Sequence, residues 1–243
     1  MIINLLRSGT SPQGIIYILI IVIFALTISF AFHEFMHAAV AVWLGDPTPR
    51  NMGRLTLNPL AHLDPMGTVL LLVAGFGWGK PVMYNPSNLH RFKSRRLMNI
   101  MVHLAGVTGN LIIAYIAMIL MILFGSLDVR FPEMTTVFGA LTDAFYYTYV
   151  FSMSLLAFNL LPIPPLDGFH VLEELLPYKF KASNGYRKFQ QFAPMILLVL
   201  FLASSFGSIP VLSYLMELIQ WPFNKLIEIL AIPFTMLFQL IGL

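Results

Sequence analysis

The sequence has no cysteine and little charge: Asp, Glu, Lys and Arg together make up 10% of its 243 residues. Without thiols there can be no disulfide and no thiolate metal site, so any bound metal must be held by imidazole and carboxylate. Soluble domains are nearer a quarter charged. With 58% hydrophobic residues and a mean hydropathy of +0.81, this chain cannot hide its apolar surface in one water-soluble core. Internal repeats and low-complexity linkers are also missing, as is any polar stretch longer than about 30 residues, which leaves no room for a sizeable soluble domain. The net charge of +3 does not point to nucleic acid. The basic residues cluster beside apolar runs, where membrane topology places them.

What is present is a series of long apolar runs. The first, Gly14 to Gly45, reads as an uncleaved membrane helix over about residues 14–44, because cleavage after its apolar region would discard its polar residues. Residues 46–64 carry Pro47, Pro49 and Pro59, which forbid a regular helix, while Arg54-Leu55-Thr56-Leu57 alternates as a short strand would. Pro65 to Trp78 is apolar but too short to span, and Gly79-Lys80-Pro81-Val82 follows it, which predicts a re-entrant turn with some extended structure. Further spans are expected at about 98–124, 143–161 and 192–209. The tail from Val211, interrupted by Pro222 and Pro233, is open between another span, a hairpin and interfacial helices. The expected fold is therefore an all-α polytopic membrane protein with at least four spans, possible fifth and sixth ones in the tail, and a small membrane-associated strand or re-entrant region. It forms one domain over 1–243, with its core at about 14–175 and additional helices over 192–243. Arg91, Lys93, Arg95 and Arg96 before the second run, and Lys179, Lys181, Arg187 and Lys188 after the third, belong in the cytoplasm by the positive-inside rule. The chain is then a multi-pass protein of the cell membrane, and the far end of its first helix lies towards the cytoplasmic side.

That end carries His33-Glu34-Phe35-Met36-His37. On a helix, the two histidines share a face one turn apart, so two ring nitrogens can converge on one metal ion, and Glu34 sits beside them as a candidate general base. Polar groups in such an apolar run cost several kcal/mol unless they are paired, hydrated or coordinated, so an intramembrane His/Glu cluster reads as functional. A hydrolytic zinc site needs a third protein ligand and one position left for water. Asp167 is the best candidate. It ends Asn159-Leu-Leu-Pro-Ile-Pro-Pro-Leu-Asp167-Gly168, where the prolines break the third span and Gly168 lets the backbone turn.

HEFMH in an apolar helix, GVTGN at 106–110 and NLLPIPPLDG at 159–168, in that order, resemble the site-2 proteases, a family of intramembrane zinc metalloproteases. GRLTLNPLAHLDPMGT (53–68) and FGWGKPVMYNP (76–86) look like the short prokaryotic branch, without a PDZ or nucleotide-sensing domain. The resemblance covers roughly residues 30–175. It implies one Zn²⁺ per chain, bound by His33, His37 and Asp167, with Glu34 activating water and Asn159 offering its amide to the substrate carbonyl or the developing oxyanion. It also implies that Gly106 and Asn110 line the substrate path. A transmembrane protein would be the substrate, within the lipid bilayer, and Arg54, Leu55, Thr56 and Leu57, or Val82 to Asn85, could bind it by adding it as an extra strand. The competing reading is a metal-ion transporter using the same His/Asp cluster, for which Glu34 between the ligands would have no task.

Overall fold

The computed structural model describes residues 11–74, 77–206 and 211–242, and its elements run α1 (Pro12–Trp43), α2 (Thr48–Asn51), α3 (Pro65–Ala74), α4 (Arg95–Arg130), α5 (Thr135–Asn159), α6 (Asp167–Leu175), α7 (Tyr178–Lys181), α8 (Asn184–Phe206) and α9 (Val211–Leu240). Among the described residues, α1, α4 and α9 are long and apolar enough to cross a membrane. Both α1 and α4 begin on a serine cap: Ser11 accepts from the Gly14 amide and Ser94 from the Leu97 amide, each satisfying one of the amides left free at a helix start.

Helices α1, α4 and α5 pack on one another, and α9 covers α4 and α5. Between lipid-embedded helices there is no water to expel, so close approach of small residues and interhelical hydrogen bonds hold the bundle. Ala25, Ala38 and Ala41 of α1 and Ala114 of α4 are completely buried. A Cβ on Gly109 of α4 would come within 2.6 Å of Met36 Cγ on α1, so this glycine sets how closely the two helices meet. The polar side of α5 is turned inward, where Ser152 Oγ lies 2.8 Å from Ser29 Oγ of α1. A bond of this kind within a membrane contributes about 0.6 kcal/mol.

The sequence expectations hold for the runs themselves and fail at their joints. The expected second span is α4, extended at both ends. The 125–142 connection, expected as a loop, is helical to Arg130 and again from Thr135, leaving a short link around Pro132–Met134. A proline at the start of a new turn sacrifices no backbone bond, so Pro132 interrupts the helical path only briefly. Pro222 and Pro233 do not divide the tail either: α9 is one helix of 30 residues. A proline inside a helix leaves a carbonyl without its donor, and neighbouring groups can compensate within a bundle. Here Tyr115 Oη of α4 donates to the Leu230 carbonyl at 3.2 Å and Tyr149 Oη of α5 donates to Asn224 Oδ1 at 2.8 Å, so the stretch between the two prolines is tied to the bundle.

The expected strand at Arg54–Leu57 is absent. The Thr56 amide turns back to the Arg54 carbonyl at 2.9 Å, and the Arg54 guanidinium donates to the Ala61 carbonyl, so this segment closes on itself rather than offering an edge. The re-entrant expectation corresponds to an out-and-back excursion. The chain leaves through α3 and returns beside Gly67, where a Cβ would press on the backbone of Trp78. Leu63 and Gly79 then form an isolated antiparallel bridge, and among the described residues no longer ladder is formed. Residues 75–76 of this excursion, 1–10 of the amino terminus and 207–209 of the expected fourth run lie outside the described residues.

After the bridge, the strap 79–85, which forms no helix, turn or bend, is tied at both ends. At one end the Lys80 amide donates to the His62 carbonyl at 2.8 Å. At the other, the fully buried Asp46 carboxylate, just beyond α1, accepts from the Asn85 amide at 2.6 Å, the Asn88 amide nitrogen at 2.7 Å and the Thr48 hydroxyl at 2.7 Å. Burial by itself would raise the Asp46 pKa, but the bonds from Asn88, Thr48 and Asn85 outweigh it and hold the carboxyl below its usual range. Because the folded value is depressed, the stability this group contributes is complete above the unfolded carboxylate pKa of about 3.9 and is lost as pH falls through the folded value. Replacing Asp46 with Ala leaves buried donors unpaired, at a cost of about 1–3 kcal/mol. The expected result of thermal unfolding in detergent is a lower Tm for Asp46→Asn than for wild type at neutral pH, with the gap closing below about pH 4.

Candidate active site

Three elements converge at the cytoplasm-ward end expected for α1. His33, Glu34 and His37 lie in the last third of α1, all buried. Asp167 is the first residue of α6, and the chain reaches it by folding back on the end of α5: a Cβ on Gly168 would collide with the Leu160 backbone, so a side chain here would push Asp167 away. Leu161 and Leu166 of this connection pack with Leu197 of α8 and Leu212 of α9, which fixes the depth of the turn.

The distances bring all three expected ligands together. His33 Nε2 and His37 Nε2 are 3.1 Å apart, and Asp167 Oδ2 lies 3.4 Å from the first and 3.2 Å from the second. Each ring has a partner on its other nitrogen. His37 Nδ1 is 2.8 Å from the Val102 carbonyl, which can only accept, so Nδ1 carries the proton and the Nε2 lone pair faces the cluster. His33 Nδ1 is 3.2 Å from the side-chain amide of Asn110, which is completely buried and whose Oδ1 otherwise has no partner. Oxygen and nitrogen of an amide are interchangeable by a flip. With Oδ1 towards His33 it accepts from Nδ1–H, and His33 Nε2 also presents a lone pair.

The result is two imidazole lone pairs and a carboxylate oxygen packed together, and Asp167 Oδ2 is itself buried without a hydrogen-bond donor. Three such acceptors repel one another unless a cation lies between them, and the set can hold a metal ion. Gly106 of α4 leaves the space, since a Cβ there would meet His37 Nε2 and come within 2.7 Å of His33 Nδ1.

Glu34 faces the strap, where its Oε2 accepts from the Val82 backbone amide at 3.1 Å. This contact has no counterpart in the sequence reading, because a backbone N–H carries no residue signature. Asn110, expected on the substrate path, lies against the His33 imidazole. Asn159 is the last residue of α5, and its Nδ2 bonds the Leu155 carbonyl of its own helix at 3.0 Å. The bonds of Arg54 and Thr56 stay within residues 49–62, with His62 Nε2 2.9 Å from the Thr56 carbonyl. Nearby, His103 stacks on His170 at 4.9 Å, and Tyr84 Oη lies 3.0 Å from His103 Nε2. Burial first, then the Glu174, Asp167 and Asp46 carboxylates, push the Tyr84 phenol pKa well up, so it remains a donor.

A buried His-His-carboxylate cluster with a carboxylate beside it, inside a bundle of membrane-length helices, defines a membrane metallopeptidase. The chain belongs to peptidase family M50, the site-2 proteases, whose family model matches residues 130–204. It is 42% identical over 180 residues to YwhC of Bacillus subtilis (strain 168), covering 74% of this chain and 78% of that protein. It is 32% identical over 203 residues to Rip2 of Mycobacterium tuberculosis (strain H37Rv), covering 81% and 73%. Both relatives are named among the zinc metalloproteases. No solved structure matches the chain.

Proposed function

We propose that this multi-pass membrane protein is an intramembrane zinc metalloprotease that cuts transmembrane segments of other proteins, using a zinc ion bound by His33, His37 and Asp167. The observation that carries this reading is the mutual approach of the three ligand atoms, all within 4.8 Å of one another, with Glu34 at their side. Zinc held there polarises the scissile carbonyl and activates water at neutral pH. The residues do the rest. Val102 and Asn110 hold the imidazoles in the ligating tautomer, an arrangement that also raises their basicity. The Val82 amide engages one oxygen of Glu34, leaving the other free to take the proton of the attacking water and return it to the leaving amine. Asn159, once released from Leu155, offers its amide to the developing oxyanion.

The strap is the better of the two candidate segments for pairing with an unwound substrate, since it forms no turn or bend while 54–57 folds on itself. With α5 and α8 counted as further spans, the site lies on the cytoplasmic side of the cell membrane, a short way from water, and Lys179, Lys181, Arg187 and Lys188 sit at the inner leaflet. One metal-removal experiment tests the reading. Purified protein in liposomes is treated with a chelator and supplied with a transmembrane reporter. Cleavage falls at least about a hundredfold and returns with one equivalent of zinc. If instead the vesicles accumulate zinc and the reporter stays intact, the protein is a transporter and the protease reading fails.

A further inference from the structure

Beside the metal cluster lies an apolar cavity of about 380 Å³, lined among others by Leu26, Thr27 and Phe30 of α1, Trp78 and Gly79 of the returning chain, and Leu155 of α5. No charged side chain lines it. Three of its walls run directly into the catalytic machinery. On α1, the lining positions 23, 26, 27 and 30 form one helical stripe, and the next position of that stripe, four residues after Phe30, is Glu34. On α5, Leu155 precedes Asn159 by one turn. On the returning chain, Gly79 precedes by three residues Val82, whose amide binds Glu34. Gly79 itself lies so close to the Phe30 ring that a Cβ there would collide with it, so the junction between wall and strap is tight.

We infer that this cavity is a specificity pocket of the protease: it takes one large apolar side chain of the unwound substrate, next to the scissile bond. The inference rests on the protease reading and adds to it what the enzyme selects. Size decides the occupant. The cavity is at the small end of the range of ligand sites, whereas a folded helix with its side chains is about 10–12 Å across and does not fit. Spacing decides the position. The pocket sits one helical turn, about 5.4 Å, from the level of Glu34, and an extended chain rises about 3.3 Å per residue. The side chain that enters is therefore one or two residues from the bond that is cut. Among the described lining residues polar side-chain atoms come from Thr27, Thr68 and Trp78 alone, and Thr68 Oγ1 is already bonded to the Asp64 carbonyl at 2.7 Å. A polar substrate residue meets a lining that is mostly apolar.

The test uses zinc-loaded protein in liposomes and a transmembrane reporter in which each of the two residues on either side of the cut is, in turn, Ala, Leu, Phe or Asn. At one position wild type prefers Leu or Phe over Ala and Asn by about tenfold or more in kcat/KM. Filling the pocket with Leu155→Phe or Thr27→Phe brings that ratio down to about two or less. Should the filled variants fail to fold, a second measurement decides. A photoreactive leucine at that reporter position, incubated with Glu34→Gln protein, forms adducts with residues 23–30 or 78–79. Adducts confined to other segments, or a size preference that Leu155→Phe leaves unchanged, would overturn the pocket while the protease stands. A wild type that leaves every reporter intact overturns both.

Discussion

Glu34→Gln is expected to abolish proteolysis while leaving the zinc in place. Glutamine keeps the size and one oxygen of glutamate, and its oxygen can still accept the Val82 amide now found 3.1 Å from Glu34 Oε2. What it cannot do is take a proton from water. General-base catalysis of this kind is worth roughly 10²–10⁴-fold, and a loss of that size in kcat, with KM for a membrane reporter little changed, is the anticipated outcome. Zinc content per chain, measured on the same preparation, stays at one. Cleavage by the variant within tenfold of wild type would remove Glu34 from the role of base. Loss of zinc in parallel with activity would make it a ligand.

The second large effect is expected at a residue with no side chain. Gly106→Ala adds one methyl group where the structure has His37 Nε2 and the His33 ring. Both rings are fastened from behind, His37 to Val102 at 2.8 Å and His33 to Asn110 at 3.2 Å, so neither can retreat without giving up a buried hydrogen bond. The methyl group therefore displaces the ligand nitrogens by a sizeable fraction of an ångström, which a four-coordinate site does not tolerate. Zinc stoichiometry below one half and activity down at least about a hundredfold are predicted, with helix content by circular dichroism unchanged. A variant that binds zinc normally would show that the rings have room to move.

These two cases mark what the sequence could and could not reveal. The candidate ligands were legible because their geometry is local: four residues apart on a helix for the histidines, and an aspartate placed by prolines and a following glycine. The third candidate required one further step, that two segments 130 residues apart meet, and the distances show that they do. Asn110 could be singled out as part of GVTGN, but only packing shows its contact with His33. The contact of Val82 with Glu34 was beyond reach, because every residue but proline has the same amide. The prolines left the tail open between a span, a hairpin and interfacial helices: their cost in an isolated helix is about 3 kcal/mol, and the contacts of Tyr115 and Tyr149 with α9 come from other helices and have no local signature.

The strap that touches Glu34 is moored at Asp46 and at His62, two sites far from each other along the chain and neither in contact with the three ligand atoms. A genetic screen for protease-dead alleles should therefore return hits at both moorings alongside those at the ligands. Such alleles would share one biochemical profile: normal zinc, normal membrane insertion, and slow turnover from a base that has lost its aim.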